Sequence, residues 1–276
     1  MIGIFDSGAG GLSVLREIRK EMPLEDCVYF ADNAFCPYGE KSRDFIVLRA
    51  KTITEFLLKE GAQVIVVACN TATAAAIAQL RAEWPDIPFI GMEPAVKPAA
   101  HTTRSGVVGV LATAGTLRGD KYARTRDTYA KGVEVVEHIG SGFVELVEGG
   151  KTCGPEAEEV VRESIRPLVE AGADTIVLGC THYPFLKDTI LKVAQSLAPG
   201  REFNIIDPAP AVVHHLREVM ESRGLLKDKG ISINGIFNNE GEPSGSRGEV
   251  RLFASGDMTV LRSLYDNIEY SENNIL

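Results

Sequence analysis

Basic surface is the first thing this sequence lacks. It sets 29 lysines and arginines against 38 acidic residues, a formal net charge of −9 over 276 residues. With no positive excess to hold a phosphate backbone, nucleic acid is not expected as a partner. Long apolar runs are missing too: stretches such as Val64 to Cys69 fall far short of the roughly 18 residues a membrane span needs, so no membrane contact is expected. The opening Met1-Ile2-Gly3-Ile4-Phe5-Asp6 reads as a buried strand and has neither the basic start nor the apolar centre of a signal peptide, which makes the cytoplasm the expected location. The cysteines Cys27, Cys36, Cys69, Cys153 and Cys180 are odd in number and scattered, which excludes a disulfide framework and a Cys-x-x-Cys metal site. Neither a dinucleotide fingerprint nor a Walker sequence occurs, and no metal-ligand spacing is present, so no cofactor and no metal are expected.

What is present is alternation. Ile2 to Phe5, Val28 to Phe30, Val64 to Ala68, Phe89 to Gly91, Val107 to Leu111, Ile176 to Gly179 and Phe203 to Ile206 read as strands. Leu12 to Met22, Ser42 to Glu60, Ala72 to Glu83, Pro155 to Glu170 and Lys187 to Leu197 carry helical spacing between them. Such a chain forms parallel sheets covered by helices on both faces. The proline-bearing segments Glu93 to Pro98 and Asp207 to Pro210 mark crossings between domains. Asn238 to Gly248, rich in Gly, Ser and Asn, reads as an exposed loop.

The sequence also repeats itself. Gly61-Ala62-Gln63-Val64-Ile65-Val66-Val67-Ala68-Cys69 returns 111 residues later as Gly172-Ala173-Asp174-Thr175-Ile176-Val177-Leu178-Gly179-Cys180. A weaker pair, Gly3-Ile4-Phe5-Asp6-Ser7 and Gly109-Val110-Leu111-Ala112-Thr113, lies upstream at an offset of 106. Two similar Rossmann-like (flavodoxin-like) α/β domains follow, residues 1–96 with 208–276 and residues 97–207, with an active site in the cleft between them.

In open α/β sheets ligands bind beyond the carboxyl ends of the strands, where the repeat puts both Cys69 and Cys180. Backbone N–H groups there favour an anion and pull a nearby thiol below its ordinary pKa of about 8.5, toward neutrality. A lone buried cysteine is most often core filler, but one at the equivalent point of each half is not; Cys27, Cys36 and Cys153 have no such counterpart and read as structural. Two thiols on opposite faces of one Cα–H would remove a proton from one side and return one to the other, which is racemisation or epimerisation. Asp6-Ser7-Gly8-Ala9-Gly10-Gly11 either makes a tight turn into a helix or lets its backbone approach a substrate carboxylate, with Asp6 facing the ammonium group or a cysteine. His182, two residues past Cys180, reads as catalytic.

Together, Asp-Ser-Gly-x-Gly-Gly at Asp6 to Gly11, Pro-Tyr-Gly at Pro37 to Gly39, Ala-Cys-Asn-Thr-Ala at Ala68 to Ala72 and Gly-Cys-Thr-His-Tyr-Pro at Gly179 to Pro184 resemble the aspartate/glutamate racemase family, and within it the glutamate racemases. The resemblance runs from Gly3 to the Ala-Ser-Gly-Asp stretch at Ala254 to Asp257. It implies a cofactor-free, two-base interconversion of L- and D-glutamate that supplies D-glutamate for bacterial peptidoglycan. Matching positions make Cys69 the base toward D-glutamate, assisted by Asp6, and Cys180 the base toward L-glutamate, assisted by His182. Ser7, Tyr38, Gly39, Asn70, Thr71, Thr113, Thr116 and Thr181 would hold the carboxylates and amine, and Glu148 matches a family glutamate near the site. The pattern departs at Phe35, where the family usually has an arginine, and at Gly140-Ser141-Gly142, which stands for a more usual Ala-Cys-Pro run. A homodimer is the expected assembly. Rival readings are a racemase of aspartate or another small amino acid, a hydrolase using Cys180, His182 and Asp6, and an amino-acid-binding module; the last two leave the duplicated thiol unexplained.

Overall fold

The computed structural model describes residues 1–227 and 247–273; of the expected loop at Asn238 to Gly248, residues 238–246 lie outside them. The strands are β1 (Ile2–Asp6), β2 (Cys27–Ala31), β3 (Val64–Val67), β4 (Phe89–Gly91), β5 (Val107–Ala112), β6 (Glu134–Ile139), β7 (Thr175–Gly179), β8 (Asn204–Ile206) and β9 (Val250–Ala254). They form two sheets, ordered β4-β3-β1-β2-β9 and β6-β5-β7-β8, and every pairing is parallel. Read from the other edge, the second sheet runs β8-β7-β5-β6, the order of β4-β3-β1-β2. The repeat in the sequence is therefore a repeat of topology, of the flavodoxin-like kind, with β9 added at one edge of the first sheet.

Parallel strands need helices on both faces, and the side-chain period of two distributes each strand between two cores. Ile2, Ile4, Val64 and Val66 pack on one side of the first sheet with Tyr29 and Leu15. Phe5, Ile65 and Val67 pack on the other with Ile53 and Leu57. In the second sheet Leu111, Ile176 and Leu178 face one cluster, while Val108, Val110 and Val177 face another. Each fully buried aliphatic side chain contributes about 1.5–3 kcal/mol, so a charge at Val66 or Val177 would break its half.

The turns into the two repeated strands are alike to the bond. The helices Arg43–Lys59 and Pro155–Glu170 both unwind through a left-handed glycine, Gly61 and Gly172, each at φ +95°. The next residues then donate back in the same pattern, Ala62 N–H to Leu57 and Ala173 N–H to Leu168, both at 3.0 Å. The proline-bearing segments open helices: Pro98 falls inside Val96–Thr102, and Pro208 caps Ala209–Ser222, whose first turn holds Pro210. A missing N–H costs nothing in a first turn.

Candidate active site

In an open sheet of this order the strands beside the reversal point, β1 and β3 in the first half, β5 and β7 in the second, leave a crevice beyond their carboxyl ends. The chain places Asp6-Ser7 and Cys69 at the first crevice and Thr113 and Cys180 at the second. The two crevices meet. Asp6, Cys69, Cys180 and His182 are 0%, 5%, 7% and 1% exposed, and hydrogen bonds cross between the halves. Thr181 Oγ1 donates to Asp6 at 2.9 Å, Ala9 N–H to Glu148 at 2.6 Å, and the Thr71 and Thr113 hydroxyls lie 2.8 Å apart.

Cys69 caps the helix Asn70–Glu83, its Sγ accepting the Ala72 N–H at 3.4 Å, and lies 3.7 Å from Ser7 Oγ. The N–H groups of that helix do not bring the thiol toward neutrality, as its position suggested. Burial, reinforced by the negative charge of Asp6, pushes it up to about 12, and the Ala72 N–H only partly offsets this. Asp6 is itself raised by burial, against the pull of His182 and of the Gly8 N–H and Thr181 hydroxyl that its oxygens accept.

Cys180 begins differently. A 3₁₀ turn, Tyr183–Leu186, follows it rather than a regular helix, and His182 Nδ1 sits 3.7 Å from Cys180 Sγ. The other ring nitrogen, Nε2, is 2.7 Å from Glu148 Oε1. Burial alone would lower the His182 pKa, but contacts to Cys180, Cys36 and Glu148 outweigh it and hold the imidazole well above its usual value. Glu148 is correspondingly held low: burial would raise it, and the bond and charge of His182 with the Ala9 N–H prevail. The raised pKa favours the imidazolium form of His182, which can stabilise negative charge on Cys180 and carry a proton beside it.

The glycines after Asp6 serve this pair. A Cβ at Gly10 would stand 2.3 Å from His182 Nδ1, one at Gly8 2.0 Å from Glu148 Oε1, and one at Gly11 2.8 Å from Asp6 Cβ. The close approach expected of this loop is to a substrate; its close approaches are made at Gly8 and Gly10 to Glu148 and His182 of the other half, and at Gly11 to Asp6 of its own.

Thr71, Thr113 and Thr116 bring three hydroxyls within 3.4 Å of one another across the halves, and Gly39 packs against Thr113. The Tyr38 hydroxyl donates to Asp32, which Arg49 also grips through two nitrogens, and the Tyr38 carbonyl accepts the Lys41 N–H at 3.1 Å, so neither its phenol proton nor its carbonyl is unpartnered. Asn70, 3% exposed, has neither amide atom hydrogen-bonded. Phe35 lies beneath the Arg49 guanidinium and against Phe45. Gly140, where a Cβ would stand 2.5 Å from the Tyr183 hydroxyl, accepts that hydroxyl's bond at 3.3 Å. The loop thereby seats the helix Phe143–Glu148 that delivers Glu148.

Sequence reasoning read Cys36 as structural, and the fold places it at the site instead. Its Sγ is 4.0 Å from Glu148 Oε1 and it touches His182, whereas Cys27 is buried in the first core and Cys153 is exposed. The signal was its place one residue before the Pro-Tyr-Gly motif.

A duplicated parallel fold with a thiol at each switch point, one beside a buried carboxylate and the other beside an imidazolium, defines an amino-acid racemase, and the chain belongs to the Asp/Glu/Hydantoin racemase family, which it matches over residues 4–216. A glutamate racemase of Pseudomonas aeruginosa is 49% identical over 225 residues, 82% of this chain and 83% of the relative. Among solved structures, a glutamate racemase isoform of Bacillus anthracis superposes with a TM-score of 0.78 at 29% identity, covering 97% of this chain and 92% of that one. The Escherichia coli glutamate racemase in complex with L-glutamate and the activator UDP-MurNAc-ala gives 0.77 at 30% identity, covering 97% and 94%.

Proposed function

We propose that the chain interconverts L- and D-glutamate by a two-base mechanism that needs no cofactor. The observation that carries this reading is the pair of thiols at equivalent switch points, both buried, in crevices joined by the contacts of Thr181 with Asp6 and of Thr71 with Thr113. Cys180 takes the Cα proton of L-glutamate, with His182 compensating the charge on its sulfur, and Cys69 delivers its own proton to the opposite face. In the reverse direction Cys69 is the base, assisted by Asp6. The unpartnered Asn70 amide and the hydroxyls of Ser7, Thr71, Thr113, Thr116 and Thr181, with the Tyr38 and Gly39 backbone, are the groups assigned to the carboxylates and amine. An orphaned buried amide is costly unless a ligand satisfies it.

The line Cys180–His182–Glu148 would also suit a thiol hydrolase. Such an enzyme has no use for Cys69, which is why racemisation is preferred. Supply of D-glutamate to peptidoglycan, a homodimer, a cytoplasmic location and a division into residues 1–96 with 208–276 and residues 97–207 belong to the same proposal. No described helix is long and apolar enough to cross a membrane.

A chiral assay of purified protein tests the substrate. Glutamate should be racemised with the higher kcat/KM; a higher value for aspartate would transfer the assignment to that amino acid.

A further inference from the structure

Cys36, Glu148 and His182 bring a thiol sulfur, a carboxylate oxygen and an imidazole nitrogen within 4.8 Å of one another. From this we infer an inhibitory site for a thiophilic divalent cation, zinc in the first instance, that closes over the acid–base pair. The inference goes beyond the racemase reading, and only its inhibitory consequence rests on that reading.

The donor set suits zinc by type and charge. Once the Cys36 thiol and His182 have given up their protons to solvent, a thiolate and a carboxylate balance the two positive charges, and a neutral imidazole adds a third ligand without leaving the buried site charged. The geometry needs small movements only. Glu148 Oε1 and His182 Nε2, 2.7 Å apart, would open to about 3.4 Å as the metal replaces the proton between them, and Cys36 Sγ, 4.0 Å from the same oxygen, would close to about 3.6 Å, the separations of a tetrahedral zinc site. The other ring nitrogen, Nδ1, stays on Cys180, and the Ala9 N–H still braces Glu148, the kind of outer support that metal ligands use. Glu148 keeps 22% of its side chain exposed, which leaves a way in for the ion and a fourth position for water.

The consequence is specific. Cys36 comes from the first half, Glu148 and His182 from the second, so a bound ion would tie the halves together and occupy the nitrogen on which His182 holds its proton. Racemisation would slow, and a chelator would restore it.

The test uses the full chain, treated with chelator and then given zinc or cobalt alone. Equilibrium dialysis should find one zinc per chain through this site, and cobalt should show a thiolate-to-cobalt charge-transfer band without any substrate present. Cys36→Ser and Cys36→Ala, both checked for folding by their circular-dichroism melts, should lose the band and about 100-fold or more in zinc affinity. Relative to its own zinc-free rate, racemisation by each variant should resist zinc that stops the wild type. Unchanged zinc binding by the Cys36 variants would overturn the assignment and place the ion on the exposed His214 and His215, which lie near Glu21 and Glu218. A charge-transfer band that survives in those variants would overturn it in favour of another thiol. Zinc bound through Cys36 without slowing the rate would remove His182 from the ligand set. Because binding is read without turnover, a failure of the racemase reading is distinguishable from a failure of the site.

Discussion

The two halves share strand order, turn geometry and the position of a thiol, yet they surround those thiols with opposite charge. Cys69 caps a helix with an aspartate beside it and is held protonated; Cys180 opens a 3₁₀ turn against an imidazolium that is held in turn by Glu148. Duplication of a fold therefore supplies two places for chemistry, and the few residues after each strand decide what each place does. At rest one thiol is stored as an acid and the other stands beside a cation suited to its anion, an arrangement set to take a proton from one face and give one to the other.

The largest way to break the comparison is to remove either thiol. Cys69→Ala or Cys180→Ala should each cut racemisation in both directions by about 10⁴-fold or more while the fold and some glutamate binding persist, since each half is obligatory to the relay. A single active cysteine variant would make the halves unequal in a way the mechanism forbids. Because enantiomers are equally stable, kcat/KM must remain the same in both directions for every variant, and only kcat and KM separately can reveal asymmetry.

Gly10→Ala should come next. Its methyl group would stand 2.3 Å from His182 Nδ1, so the ring must shift. The expected cost is about 1–3 kcal/mol of stability from overpacking and about 10² in kcat from misplacing the acid–base group. Native-like rates in Gly10→Ala would show that the loop is merely a turn.

The smallest effect concerns pH. Glu148 is held below its ordinary 4.5 and His182 above its ordinary 6.5. The Glu148 share of stability is present above about pH 4.5 and lost as pH falls through its depressed value, whereas the His182 share is complete below about pH 6.5 and lost as pH rises through its elevated one. His182→Asn should therefore lower Tm most near pH 6 and less at higher pH, by about 2–4 °C for each kcal/mol involved. A gap that stays level or widens with pH would deny the imidazolium.

The sequence made the duplicated strands legible because they are short, apolar and bounded by glycine, and Cys69, Cys180, Asp6 and His182 stand next to them. β6 escaped notice because it is an edge strand carrying Glu134, Glu137 and His138, half exposed throughout. β9 escaped because Arg251 interrupts its apolar run, and in the fold that arginine reaches Glu60. Short helices such as Phe143–Glu148 have too few turns to display a period. Nor could periodicity show that burial would outweigh the helix N–H groups at Cys69, or that Cys36, distant in sequence, would lie against Glu148. Both depend on how the halves meet.

Deuterium tests the central claim most directly. When L-glutamate is racemised in D₂O and sampled at early conversion, the D-glutamate formed should carry deuterium at Cα essentially throughout, while recovered L-glutamate keeps its protium until reversal sets in. The same should hold when D-glutamate is the substrate. One thiol gives up a solvent-derived hydrogen while the other retains the substrate's. Substantial protium in the first-formed product, in either direction, would mean that a single base carries the proton across, and would contradict the two-thiol mechanism.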